Sequence, residues 1–454
     1  MKSILKRILS GLLAVALCFA GVSCAQTQSG KTELKLSRER VDLLPRGEFA
    51  LKAETLTVNG RDAKIGELEW LSEDDTVAKV SAEGVVTAVS EGQTVVFATD
   101  KTSGVRSAGT KVRVYAGREE IDLQDETQIN YYGRNIVSEK NGITFLNTAG
   151  SFEFNFIGTE CSARLHATAF DLKLKIYADG VAQAQMLKIS PGTKQIDLAA
   201  GLADGLCHTI RAVKVNSAAK GALILNGIDC NGAFVDPPQK PALKFEVYGD
   251  SITAGYGVNA IRGEGDTIAN EDGTAAYPYL VAERFGAQVH EQCASGISAV
   301  VPVSSWGWKE GETVSDLYDT YALNSNRTKW DFSSYQADVI LLCLGNNDYV
   351  GCMEGNGTLD GFTDGYVQFI RNLREKNQDA YIVICDGMMG QYLSEQFETV
   401  VSRTGDGKVY FLNMTPTETS GAGGHPGVAG QRAGAEELAG FLIEKGICSE
   451  QSPA

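Results

Sequence analysis

Apolar and polar residues alternate through the first half of the chain. Between about residues 33 and 116 the alternation comes in short runs, among them Leu34-Lys35-Leu36, Phe49-Ala50-Leu51, Val77-Ala78-Lys79-Val80 and Gln93-Thr94-Val95-Val96-Phe97-Ala98. Turn residues interrupt them at close intervals, which predicts a small β-sandwich. A second alternating region covers about 124–236, with runs such as Ser151-Phe152-Glu153-Phe154-Asn155-Phe156 and Leu172-Lys173-Leu174-Lys175-Ile176-Tyr177. Asp179-Gly180 follows the latter and predicts a two-residue hairpin turn. A jelly-roll-like sandwich fits this region. His166 and His208 lie within its alternating runs, where a structural or solvent-facing role is expected. The stiff segment Asp236-Pro237-Pro238-Gln239-Lys240-Pro241 then ends the alternation.

From residue 243 continuous apolar runs take over, the clearest being Val339-Ile340-Leu341-Leu342-Cys343-Leu344. Such runs suit parallel strands buried on both faces. Strands are predicted at 245–248, 287–293, 339–344, 381–385 and 409–413, and helices at 277–285, 362–376, 391–402 and 428–445. In the second of these helices Tyr366, Phe369, Ile370 and Leu373 follow the three-four spacing of one helix face. The expectation for 241–448 is a three-layer α/β domain around a parallel sheet, with its cleft at the carboxyl ends of the strands.

The N-terminus reads as a targeting segment. Lys2, Lys6 and Arg7 precede an apolar stretch from Ile8 to Ala20 that is too short for a stable membrane span. Residues 1–23 are expected to be a signal peptide and 24–32 a tether. The segment Ala20-Gly21-Val22-Ser23-Cys24 resembles a bacterial lipoprotein cleavage site, with Cys24 lipidated. Ordinary signal-peptide cleavage nearby is the alternative. Both imply export, to the periplasm or the cell surface, with Cys24 as the expected membrane attachment.

Composition changes this picture little. At 454 residues, with 43% apolar and 22% charged residues, several globular domains are expected. Removing residues 1–23 leaves 38 basic and 57 acidic residues, a balance of −19. That argues against nucleic acid or an anionic membrane surface as partner. Cys343 and Cys385 fall inside apolar runs and are expected as buried thiols. With four histidines and no close-spaced cysteine or histidine pairs, no zinc site is expected, and no metal or cofactor is called for.

The chemistry gathers at the predicted strand ends. Gly249-Asp250-Ser251 follows the first strand, Ala294-Ser295-Gly296-Ile297 the second, and Gly345-Asn346-Asn347-Asp348 the third, while Gly423-Gly424-His425-Pro426-Gly427 precedes the last helix. Each block alone has an ordinary reading as a turn, a cap or a surface residue. Together they supply a serine nucleophile at Ser251, a base at His425, and oxyanion donors in the backbone N–H groups of Ser251 and Gly296 and the Asn347 amide. Asp250 and Asp348 are expected to brace the loops. Gly255, Gly257 and the glycines of 421–424 would let backbone approach a small acyl group. Trp306, Trp308 and Trp330, with Tyr318 and Tyr321, cluster between the second and third strands. They are expected partly as a sugar platform and partly as core.

These four blocks, in this order, resemble the SGNH (GDSL) hydrolases. The jelly-roll-like region before the serine, with Trp330-Asp331-Phe332-Ser333, is most similar to carbohydrate esterase family two. The stretch from Trp70 to Gly92 resembles bacterial Ig-like modules, for which a spacer role is expected. The resemblance implies a multidomain chain: an Ig-like module at 33–116, a jelly-roll-like sandwich at 124–236, and an SGNH domain at 241–448. It implies a metal-free esterase that removes acetyl groups from a polysaccharide such as xylan. A lipase or thioesterase on the same fold, and a glycan-binding surface protein with a decayed site, are the alternatives. Most of the wider family has an aspartate three residues before the histidine, where this chain has Ala422. The resemblance therefore implies a Ser–His dyad with a backbone carbonyl orienting His425. Glu418 or Asp406 is the alternative acid.

Overall fold

The computed structural model describes residues 30–450, except 139–141, 262 and 324–325. The segment read as a signal peptide, Cys24 and most of the expected tether lie outside the described residues. Among the described residues no helix is long and apolar enough to cross a membrane.

The first module is a sandwich of short strands. One sheet has the order Arg40–Leu43, Thr110–Val114, Gly92–Asp100, Leu68–Ser72, and a three-stranded sheet contains Glu48–Ala50, Val85–Ala88 and Ala78–Val80. Alternate residues Val41, Val86, Val96 and Val112 meet in its core.

The second module is a larger antiparallel sandwich. Ser151–Ile157, Cys207–Lys214 and Leu172–Ala178 run through the middle of one sheet; Leu223–Cys230 and Cys161–Ala167 run through the other. Phe152, Phe154 and Phe156, two residues apart, all point inward and are fully buried. At the predicted hairpin Ala178 pairs with Val181, and Asp179 (φ 52°) and Gly180 (φ 78°) both take positive φ. That is the backbone of a type I′ turn.

The third domain is built on five parallel strands in the order Gln288–Cys293, Lys244–Gly249, Val339–Cys343, Tyr381–Asp386, Val409–Asn413. Helices Leu359–Lys376 and Ser394–Thr404 cover one face, against Tyr248, Ile340, Leu342 and Ile382. Helices Tyr277–Arg284 and Val428–Glu444 cover the other, against Phe245, Val247, Val339 and Leu341. Neighbouring residues of one strand thus serve opposite layers, which is why the central run Val339–Cys343 is apolar throughout. The strand order reverses direction at Lys244–Gly249, so the cleft opens beside its carboxyl end. Cys343 and Cys385 are buried and unbridged.

The sandwich and the α/β domain share a polar interface. Arg134 of the sandwich is fully buried; its Nη2 donates to Glu246 Oε1 at 2.7 Å and to the Tyr248 hydroxyl at 2.6 Å, both on the first parallel strand. Its Nη1 donates to the Tyr318 carbonyl at 2.6 Å.

Candidate active site

Ser251 stands two residues beyond the end of Lys244–Gly249, on a turn held by its own neighbours. Asp250 Oδ1 accepts from Ile252 N at 2.9 Å, the Asp250 carbonyl from Ala254 N, and the Ser251 carbonyl from Tyr256 N. This short-range bonding by an aspartate is what turns the chain here. Ser251 is 8% exposed. His425 arrives from the turn before helix Val428–Glu444, and its Nε2 lies 2.8 Å from Ser251 Oγ.

The other imidazole nitrogen, Nδ1, lies 2.9 Å from the Ala422 carbonyl oxygen. A carbonyl only accepts, so Nδ1 carries the proton and Nε2 presents its lone pair to the serine hydroxyl. Among the described residues no carboxylate hydrogen-bonds to His425. Glu418 is occupied by Ser420 N and Gly430 N, each at 2.7 Å, and Asp406 pairs with Arg374 at 2.7 Å.

Gly296 lies on the turn after Gln288–Cys293 and Asn347 follows Val339–Cys343, the two strands that pair with the strand preceding Ser251. Gly296 has φ 81°, and a Cβ there would lie 3.0 Å from Trp308 Nε1 and 3.4 Å from Trp306 Cε3. The two tryptophans therefore pack directly over Gly296, and Trp306 remains 54% exposed. Asn347 is the second residue of helix Asn346–Met353. Its Nδ2 donates to the Ile297 carbonyl at 2.7 Å, with Asp250 Oδ2 at 3.5 Å on the other side. Asp348 is fully buried and accepts from three successive backbone N–H groups, Ala299, Val300 and Val301, at 2.7–2.9 Å. It clamps the Gly296 loop to the helix that carries Asn347.

Trp330 is not part of this rim, contrary to the sequence reading of it as a substrate contact. It packs edge-on against His290, near the middle of strand Gln288–Cys293, and against Tyr321, with the Arg134 guanidinium 5.6 Å from its ring. It lines a cavity of about 360 Å³ with Lys244 and Gln288, the first residues of their strands, at the end of the sheet away from Ser251. The physical reason is the Arg134 interface, which draws aromatic faces to a buried cation. Tyr318 is likewise core, against Phe332 and Phe369.

Comparison with known proteins adds the family. Residues 247–433 match the GDSL-like Lipase/Acylhydrolase family, 131–238 the Carbohydrate esterase 2 N-terminal domain, and 32–112 the Bacterial Ig-like domain (group 2). The chain carries a GDSL-like hydrolase domain behind a carbohydrate esterase 2 N-terminal domain. It is 29% identical over 335 residues to the cellulase/esterase CelE of Acetivibrio thermocellus, covering 71% of this chain and 40% of that protein. It is 26% identical over 183 residues to an acetylxylan esterase / glucomannan deacetylase of Cellvibrio japonicus, covering 40% of this chain and 49% of the relative. The chain thus spans less than half the length of these curated relatives. A family two carbohydrate esterase from Clostridium thermocellum, solved in complex with cellohexaose, superposes with a TM-score of 0.63 at 27% identity, covering 70% of this chain and 98% of that one.

Charge in the SGNH site follows burial. Burial lowers the pKa of His425, against the hydrogen bond to Ala422 and the nearby Asp266 carboxylate, which raise it. Burial raises Asp250 to about 7, with Asp348 adding to the rise. Asp348 itself is raised to about 6 by burial, against its three backbone donors. Two features of this SGNH site went unassigned in the sequence. The Tyr256 ring lies on the imidazole, centroids 4.6 Å apart. Asp266 accepts from Gly257 N at 2.8 Å. Tyr256 depends on a contact with a segment 169 residues later, and Asp266, only nine residues from Gly257, sits in an irregular loop with no periodic or motif signal to mark it.

Proposed function

We propose that the protein is an exported serine esterase that removes O-acetyl groups from a polysaccharide, acetylated xylan or a related hemicellulose, through an acyl-enzyme. The observation that carries this reading is the pair of contacts on one imidazole, Nε2 to Ser251 Oγ at 2.8 Å and Nδ1 to the Ala422 carbonyl at 2.9 Å. Ser251 Oγ attacks the acetyl carbonyl while His425 Nε2 takes its proton. The backbone N–H groups of Ser251 and Gly296 and the Asn347 amide receive the oxyanion. His425 then gives the proton to the departing sugar oxygen, which leaves as a hydroxyl, and acetyl stays on Ser251. Water attacks the acyl-enzyme, His425 accepts its proton, and acetate leaves as Ser251 is reprotonated. The Ala422 carbonyl holds the tautomer throughout, the work an aspartate does in a triad.

The names of the two curated relatives, and the sugar chain in the related structure, support a carbohydrate substrate. Trp306 and Trp308 beside Gly296 are the proposed sugar contacts. Cys24 is the proposed lipid anchor, at the periplasmic or outer surface, with the Ig-like module as spacer. Purified protein should hydrolyse p-nitrophenyl acetate and release acetate from at least one of acetylated xylan, glucomannan, pectin or peptidoglycan. Ser251→Ala should lower kcat by about a thousandfold or more. A Ser251→Ala variant as active as wild type would sink the reading, and preference for acyl chains beyond butyrate would sink its acetyl part.

A further inference from the structure

The geometry points to Asp266 as the acidic positioning residue of the Ser–His pair, acting across Gly257 on the carbonyl that orients His425, with Lys220 of the sandwich anchoring it. This rests on the esterase reading above.

The path is short and continuous. Lys220 Nζ donates to Asp266 Oδ2 at 2.7 Å, and the Asp266 side chain is 5% exposed. Asp266 Oδ1 accepts from Gly257 N at 2.8 Å. The Gly257 carbonyl accepts from Ala422 N at 3.1 Å. The Ala422 carbonyl accepts from His425 Nδ1 at 2.9 Å and from His425 N at 3.1 Å. Gly257 has φ 53°, and a Cβ there would lie 2.0 Å from the Ala422 Cβ, so the two backbones touch with no room between them. Any shift of the Gly257 turn moves the Ala422 carbonyl.

The arrangement suits a site without an acid on the imidazole. A carbonyl orients Nδ1–H but brings no net charge to the imidazolium formed when the serine is deprotonated. Asp266 brings a negative charge close to His425 without contacting it. Its neighbours set the size of that effect: Lys220 pairs with it, and Glu271 and Lys173 lie nearby. Around the imidazole itself stand Ser251 and the Tyr256 ring, and Glu418 is turned to Ser420 and Gly430.

Three variants of the full chain separate position from charge. Asp266→Asn keeps an acceptor for Gly257 N and removes the charge. It should lower the midpoint at which His425 titrates, followed by NMR of the four histidines, and lower kcat with KM unchanged. Asp266→Ala removes the acceptor as well and should lower kcat on p-nitrophenyl acetate on the order of ten- to a hundredfold, the scale of a small misplacement of a reacting group. Adding Lys220→Met to Asp266→Asn removes the opposing cation and should return the titration midpoint towards wild type. A wild-type kcat in Asp266→Ala, or an unmoved His425 midpoint in Asp266→Asn, would overturn the inference. The titration can be read on Ser251→Ala protein, so absence of hydrolysis by wild type would remove the esterase reading and leave this measurement standing.

Discussion

His425 differs from a triad histidine in what touches it. Its Nδ1 meets a carbonyl rather than a carboxylate, and burial lowers its pKa below the usual 6.5. The base must be neutral to accept the serine proton, so activity is lost as pH falls through the folded pKa. The acid limb of the kcat/KM profile should therefore have its midpoint below 6.5, measured on p-nitrophenyl acetate from pH 4 to 8. Glu418→Ala should leave kcat within a fewfold of wild type, because its oxygens hold Ser420 and Gly430 rather than His425. It should cost about 1 kcal/mol of stability from the lost loop hydrogen bonds. A loss of several hundredfold in kcat would restore the triad.

At the scale of elements, the loops of the site are fixed by buried carboxylates. Asp348 joins helix Asn346–Met353 to the Gly296 loop through three backbone donors. Asp348→Ala leaves those donors unsatisfied, two of them on buried residues, and should cost at least about 3 kcal/mol in urea unfolding. Asp348 and Asp250 bind their protons more tightly folded than unfolded, with pKa values raised to about 6 and about 7. Their contribution to stability is complete below the ordinary carboxylate range and is lost as pH rises through 6 and 7. The urea midpoint should fall between pH 5 and pH 8, and less so in Asp250→Asn.

These elements also show what the sequence could and could not display. Val339–Cys343 and Tyr381–Asp386 were the most legible of the parallel strands, because a strand buried on both faces reads as a near-continuous apolar run, whereas the buried Gln288–Cys293 carries Gln288, His290, Glu291 and Gln292. The Asp179-Gly180 turn was legible because its backbone needs residues that tolerate positive φ. The helix Asn346–Met353 was not predicted: Asn346, Asn347, Asp348 and Gly351 are weak helix formers, and what holds the turn is Asp348 reaching another loop. Helix Leu359–Lys376 begins three residues earlier than its apolar face, because Thr358 caps it by accepting from Gly361 N at 3.0 Å. The serine, glycine, asparagine and histidine blocks carry local patterns, so their places in the chain were readable. Tyr256, Asp266 and the true setting of Trp330 depend on tertiary contact.

Over the whole molecule the sandwich reaches deep into the hydrolase. Arg134 and Glu246 form an ion pair with both side chains fully buried. Arg134→Met leaves Glu246 as a buried unpaired carboxyl and should cost about 3–5 kcal/mol in urea unfolding, with the midpoint as readout. The loop after the serine is tied to the same partner: Lys173 donates to the Ala269 carbonyl, Asn216 to the Ile268 carbonyl, and Ser217 N to Glu271. The two domains are therefore one heritable unit. Recombination that moved the serine and histidine to a new chain without the sandwich would carry the reactive groups and leave behind Lys220, Arg134 and the walls of the serine loop. Exchanging substrate specificity between such chains calls for moving both domains together, and the Ig-like module is itself tied to the sandwich, where Asp42 N donates to the Gly205 carbonyl and Asp42 Oδ2 accepts from Cys207 N.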